Sequence, residues 1–221
     1  MDNLNEIPDG FNLSPEMLDE IQANIEEIIK GFPIAETNKL EVLKKINFMY
    51  TQTRHMSVTD ALTGLYNRRY FENIFEREFL RAQRYDNNLT VAILDIDFFK
   101  KINDTHGHLC GDHILREVAY LILNALRKTD IVFRFGGEEF IIILTETSLE
   151  KAQIPLERIR QLIEEYQFYY NENVIKVSVS IGAEELHKNI LTPEQLIQNA
   201  DTALYTAKKQ GRNQLVISSK T

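Results

Sequence analysis

The stretch Ile131-Val132-Phe133-Arg134-Phe135-Gly136-Gly137-Glu138-Glu139-Phe140-Ile141-Ile142-Ile143-Leu144-Thr145 holds two short apolar runs around a Gly-Gly-Glu-Glu tip. Glycines between apolar runs are hairpin turn chemistry, so Ile131–Phe135 and Phe140–Thr145 are expected to pair antiparallel. Two glycines at a tip let a ligand approach the backbone closely. Two adjacent glutamates repel each other if both are ionised, and a metal or a proton relieves the repulsion. A solvated turn, in which salt screens the repulsion, accounts for the same residues.

Working outward, Thr90–Ile96 reads as a buried strand. Asp112–Leu126 reads as a helix with Leu115, Val118 or Ala119, Ile122 and Leu126 inward. Arg68–Arg84 is an earlier helix. Residues 150–167 are mostly helical, with Pro155 expected to kink or restart the helix. Lys176–Ala183 alternates Val177, Val179 and Ile181 against Ser178 and Ser180, as a strand does. Thr192-Pro193-Glu194-Gln195 is a capping box opening a helix to about Gln210. Gly211 ends it, and Leu215–Ile217 forms a last strand. The order is β-α-β-β-α-β with additions, an α+β ferredoxin-like plan.

The pattern begins at residue 57, which divides the chain into 1–56 and 57–221. In the first part, Ser14-Pro15 starts a helix with Leu18, Ile21, Ile25 and Ile28 on one stripe, and Gly31-Phe32-Pro33 stops it. A weaker stripe of Leu40, Leu43, Ile46 or Asn47, and Tyr50 marks a second helix from about Glu36 to about His55. This short N-terminal helical segment is either a hairpin packing on the protein or a dimerising or signal-receiving stalk. Fewer than four heptads leave the coiled-coil signal weak.

A formal charge of -8 argues against tracking a nucleic-acid backbone. Small anionic substrates stay open, because local cations or a bridging metal can hold phosphates. Cys110 is the only cysteine, so there is no intrachain disulfide and no CxxC zinc site. No apolar run is long enough to cross a bilayer, so no direct membrane insertion is expected. The acidic, polar N-terminus does not read as a signal peptide, and a cytoplasmic protein is expected.

Asp95-Ile96-Asp97 ends the first core strand, and a period of two puts both carboxylates on one face. Such a pair suits a hard divalent cation, or it caps the following segment. In a ferredoxin-like sheet this strand neighbours the hairpin, so Asp95 and Glu138 can face one metal, the start of a phosphoryl-transfer site. Neither G-x-x-x-x-G-K-[ST] nor G-x-G-x-x-G occurs. His106, His108 and His113 follow no common zinc-ligand spacing.

Five ordered motifs together resemble the GGDEF domains of diguanylate cyclases over about three-quarters of the chain. They are Asp60-Ala61-Leu62-Thr63-Gly64-Leu65-Tyr66-Asn67-Arg68-Arg69, Asp95–Asp104, Gly107–Asp112, Arg134–Phe140 and Asp201–Asn213. The resemblance implies a nucleotide-cyclase-like palm that condenses two GTP into cyclic di-GMP. It implies that Asp95, the Ile96 carbonyl and Glu138 hold Mg²⁺ or Mn²⁺, with Glu138 as candidate base and Glu139 in support. Asn103 and Asp112 would read guanine, His108 would lie near the substrate, and Phe98 and Phe99 would line the pocket. Lys208 and Arg212 would contact phosphates. At least one of the two phenylalanines also fits plain core, and the two cations also fit a solvated helix end. Arg127 and Asp130 stand at the R-x-x-D spacing that forms an inhibitory product site in this family; alone they read as a surface ion pair. The implied enzyme is a homodimer, because one domain offers half of the arrangement. A GGDEF module that only binds nucleotide, and an adaptor working through its helices, are the competing readings. Asp112 favours guanine without settling base choice.

Overall fold

The computed structural model describes residues 58–218. The helices expected between Ser14 and His55 lie outside the described residues. The elements are β1 (Tyr66–Asn67), α1 (Arg68–Tyr85), β2 (Leu89–Ile96), α2 (Phe99–His106), α3 (His108–Ala125), β3 (Ile131–Arg134) and β4 (Glu139–Thr145), followed by α4 (Leu149–Glu165), β5 (Phe168–Tyr170), β6 (Asn173–Ile175), β7 (Val179–Glu185), α5 (Pro193–Lys209) and β8 (Leu215–Ile217).

One mixed sheet runs β1-β3-β4-β2-β7-β8. At its centre β2 is antiparallel to β4 on one side and to β7 on the other. The hairpin partner β3 extends the sheet beyond β4, and β1 and β8 add parallel at the two edges. Strands β2, β3, β4 and β7 with their crossover helices make the expected α+β palm.

All eight residues of β2 are buried, because both faces of the sheet are covered. Ala92, Leu94 and Ile96 pack with Phe140, Ile142, Val179 and Ile181 under α3 and α4. Val91 and Ile93 pack with Phe133, Ile141 and Ile143 under Phe71, Phe75 and Phe79 of α1 and Leu196, Ala200 and Leu204 of α5. Burying such a side chain contributes about 1.5–3 kcal/mol, so these layers hold the sheet ends in fixed positions. Among the described residues no helix is long and apolar enough to cross a membrane.

Several boundaries differ from expectation. α3 starts at His108, four residues before Asp112, and is preceded by the unexpected α2. Only Phe99 and Ile102 of α2 are buried, so its eight residues show no long apolar period. β7 runs later than expected and ends in buried Glu184 and Glu185, charges that hide a strand from a hydrophobic pattern. Glu184 accepts from the Glu185 amide at 2.9 Å and from Asn199 Nδ2 at 3.3 Å. Pro155 does not restart the helix: it lies inside the 17-residue α4. The lost backbone bond costs about 3 kcal/mol, and burial of Leu149, Ala152, Leu156, Ile159 and Ile163 offsets it. The β5–β6 hairpin was not expected, and it turns at a left-handed Asn171.

Gly182 in β7 sets how closely α5 approaches. An added Cβ would lie 2.1 Å from the Leu204 nitrogen and 2.3 Å from the Ala200 oxygen, both backbone atoms. Gly182→Ala therefore forces α5 off the sheet. The expected loss is about 1–3 kcal/mol or more, read from the midpoint of urea unfolding; an unchanged midpoint would show that α5 can yield freely.

Candidate active site

The buried strand β2 carries Asp95 to its end, where the residue is 6% exposed. Lys208, in the last turn of α5, places Nζ 2.8 Å from Asp95 Oδ2. Burial holds the Asp95 carboxyl above the ordinary carboxylate range. Lys208 pulls it down, Asp97 pushes it up, and Arg212 again lowers it. The hairpin meets this strand end through the Ile96 amide, which donates to the Glu138 carbonyl at 3.3 Å. Glu138 also stands above its ordinary range. Burial is the first cause, the Asp95 charge the second; Lys208 opposes and Glu139 adds. The Asp95 charge therefore reaches Glu138 across the strand end.

Glu139 is the register partner of Asp95. An added Cβ on Gly136 would lie 2.7 Å from Glu139 Oε2, so the first tip glycine makes room for that carboxylate. The amides of Phe135 and Gly136 both donate to the Glu139 carbonyl. Open space surrounds the Cβ position of Gly137.

Asp60 and Arg134 lock the hairpin from behind, a role not read from the sequence. Arg134 donates to both Asp60 carboxylate oxygens at 3.0 and 3.1 Å, and to the Gly137 carbonyl at 2.9 Å. Burial pushes the Asp60 carboxyl up, but hydrogen bonds from the Thr63 hydroxyl and amide and from Arg134 bring it below its usual value. Asn67 caps α1 by accepting from the Tyr70 amide at 3.0 Å. The first motif thus holds the hairpin tip against the start of α1. The signal was present as an Arg beside the Gly-Gly tip, but its partner lies 74 residues away.

The two phenylalanines separate. Phe98 is 60% exposed, with a left-handed φ of 56°. Phe99 is in the core, its ring edge 3.1 Å from the Cβ position of Gly111. Asn103 lies against Gly111: an added Cβ there would sit 2.0 Å from Asn103 Oδ1. That contact brings the Asn103 amide beside the N-terminal end of α3, which carries half-buried Asp112 and exposed His108. Arg212 stacks its guanidinium 4.3 Å from the Phe98 ring centroid. Lys208 and Arg212 therefore lie beside the carboxylates rather than at a bare helix end.

Asp97, the second carboxylate of the strand end, faces inward. It accepts from Ser178 Oγ and Ser180 Oγ, each at 2.7 Å, and from the Asn213 amide at 3.0 Å. Arg127 and Asp130 form a local turn in which Asp130 Oδ2 accepts from the Arg127 amide at 2.9 Å. Burial raises the Asp130 carboxyl, partly offset by that bond and by the Arg127 charge. Arg127 is exposed.

Two carboxylates and a strand-end carbonyl are oxygen donors suited to a hard divalent ion. Such an ion commonly takes only one or two carboxylates and completes its shell with phosphate oxygens and water. Burial holds both carboxyls above their ordinary range, and a bound cation would lower them. Among the described residues no three His, Cys, Asp or Glu side chains converge on one metal position. The donor set fits an ion that arrives with a phosphate ligand.

A carboxyl raised in the folded state favours folding while protonated, and that contribution is lost as the pH climbs through its raised value. Asp95 and Glu138 thus cost stability at neutral pH. Glu138→Gln is expected to melt above wild type at neutral pH, with the gap closing below the ordinary carboxylate range. Added Mg²⁺ should raise the wild-type melting temperature and move the variant less. A variant less stable than wild type at neutral pH contradicts this account.

A family model described as "Diguanylate cyclase, GGDEF domain" matches residues 57–214. The chain is 46% identical over 164 residues to diguanylate cyclase DosC of Escherichia coli, covering 74% of this chain and 35% of that protein. It is 40% identical over 163 residues to response regulator PleD of Caulobacter vibrioides, covering 73% of this chain and 36% of that one. The chain thus spans about a third of these relatives. Among solved structures, the coiled coil and GGDEF domain of DgcB from Caulobacter crescentus, in complex with c-di-GMP, superposes with a TM-score of 0.77 at 28% identity, covering 82% of this chain and 96% of that one. The active GGEEF domain of a diguanylate cyclase from Vibrio cholerae gives 0.67 at 36% identity, covering 70% and 98%. With the hairpin, the strand-end carboxylates and the closing cations in the family's order, the chain belongs to the GGDEF domain family.

Proposed function

We propose that this chain is a divalent-metal-dependent diguanylate cyclase that condenses two GTP into cyclic di-GMP and two pyrophosphates. The observation that carries the reading is the meeting of Asp95 and Glu138 with Lys208 and Arg212 at one end of the central strand. Carboxylates alone repel a triphosphate; carboxylates interleaved with cations bind one.

Asp95, the Ile96 carbonyl and Glu138 would hold Mg²⁺ or Mn²⁺, which supplies charge neutralisation at the triphosphate. Lys208 and Arg212 contact phosphate oxygens. Lys208, which pairs with Asp95 at 2.8 Å, lies in the site where it can also contact phosphate. Asn103 and Asp112 read the guanine edge, with His108 near the substrate. Phe98 offers an exposed ring at the rim, while Phe99 supports the pocket floor from the core. Glu138, with its raised proton affinity, accepts the proton of the attacking 3′-hydroxyl. The 3′-oxygen bonds to the α-phosphorus of the other GTP, the α–β bridging bond breaks, and pyrophosphate leaves. Glu139 keeps the tip in place.

Each reaction joins nucleotides held by two domains, so the working form is a homodimer. Residues 57–221 carry the chemistry in this reading. Residues 1–56 control the encounter, as a dimerising or signal-receiving segment. Arg127 and Asp130 bind cyclic di-GMP and slow the enzyme. An Arg side chain pairs with phosphate and stacks on guanine, and Asp130 accepts from the base.

Purified protein with GTP and Mg²⁺ is expected to yield cyclic di-GMP by mass, and Glu138→Gln to yield at least about 10²-fold less. No product from stripped, dimeric protein that still binds GTP would favour a binding module. Arg127→Ala is expected to raise the cyclic di-GMP concentration for half-inhibition roughly tenfold or more, since a charged hydrogen bond is worth about 1.5–3 kcal/mol. Unaltered inhibition in that variant would remove the R-x-x-D site from the reading.

A further inference from the structure

Asp97 is 4% exposed, yet it lies one residue before an exposed ring. A buried carboxylate needs its charge answered, and this one is answered by two serine hydroxyls of the β7 segment and one backbone amide. That amide belongs to Asn213, 116 residues later in the chain. Asn213 and Arg212 are both left-handed, with φ of 46° and 66°. For residues bearing a Cβ this conformation costs roughly 1–2 kcal/mol each, so something must hold the turn. The Arg212 amide bonds the Ala207 carbonyl at 3.0 Å, and the Asn213 amide bonds Asp97.

The Asn213 side chain is fixed as well. It accepts from Arg160 at 2.8 Å and donates to Glu164 at 2.6 Å. The consequence lies at Arg212: with the turn pinned, its guanidinium rests on the Phe98 ring. Phe98 is itself left-handed, next to Asp97 in the chain. One carboxylate thus ties the two segments that bring the ring and the cation together.

We propose that Asp97 is a positioning residue for Arg212: its buried carboxylate pins the Arg212–Asn213 turn and so sets the place at which a GTP phosphate meets the guanidinium. The assignment of the phosphate rests on the cyclase reading; the pinning does not. Asp97 acts through hydrogen bonds, so a neutral side chain of the same shape can replace it. Asn in its place keeps an oxygen toward Ser178 and the Asn213 amide, and turns its NH₂ toward Ser180 Oγ, which can accept.

The test compares Asp97→Ala, Asp97→Asn, Arg212→Ala and the Asp97→Ala/Arg212→Ala double variant in the full chain. Three quantities are read: amide hydrogen exchange over residues 211–214, affinity for the α,β-methylene analogue of GTP with Mg²⁺, and the kcat and KM of any turnover. The expected result is faster exchange over 211–214 in Asp97→Ala, with the sheet amides unchanged. Analogue affinity and KM should worsen roughly tenfold, more than kcat falls, as for a lost charged contact. Asp97→Asn should restore all three, and Asp97→Ala should add little to Arg212→Ala. Should Asp97→Ala unfold, Asp97→Ser makes the same comparison, because its hydroxyl is too short to reach the Asn213 amide. Unchanged exchange at the turn, additive losses in the double variant, or equal damage from Asn and Ala overturns the proposal. If wild type binds the analogue but makes no cyclic di-GMP, the cyclase reading fails while exchange and affinity still decide the role of Asp97.

Discussion

Strand β2 is buried along its whole length and then delivers two carboxylates, Asp95 and Asp97, within a few residues of the core. Burying charge is costly unless it is answered. The two acids are answered in opposite ways. Asp97 takes three hydrogen-bond donors and becomes part of the scaffold. Asp95 has Lys208 beside it, and burial still leaves it above its ordinary range. The same strand end therefore carries one satisfied acid and one that an incoming cation can stabilise further.

The rest of the domain keeps that contrast in place. Helices α1 and α5 close one face and α3 and α4 the other, so the end of β2 cannot drift. Gly182 lets α5 come close enough to bring Lys208 to Asp95. Arg134 and Asp60 hold the hairpin tip so that Glu138 stands within electrostatic reach of Asp95. Burial works against the ionised form of both carboxyls, a tension common at functional sites.

The sequence showed the pieces that depend on short-range pattern. The Gly-Gly tip announced the hairpin, the capping box announced α5, and the alternation of Val and Ser announced the region of β7. Asp95, Glu138, Lys208 and Arg212 were all legible as candidates because five motifs stood in a family order. Pro155 did not restart the helix, because five buried neighbours on α4 outweigh its local penalty. Helix α2 was missed because only two of its residues are buried.

What the sequence by itself determined was the α+β plan, the order of the core elements along the chain and the roster of charged groups. Periodicity and turn chemistry are local, and they survive without knowledge of contacts. Tertiary structure alone decided which acid faces inward and which faces the site, because Asp95 and Asp97 have the same spacing and the same face on paper. It alone separated exposed Phe98 from buried Phe99. It alone paired Arg134 with Asp60 and Asp97 with Asn213, partners 74 and 116 residues apart. Such pairings follow from packing two helical layers on one sheet, and no pattern read along the chain encodes them.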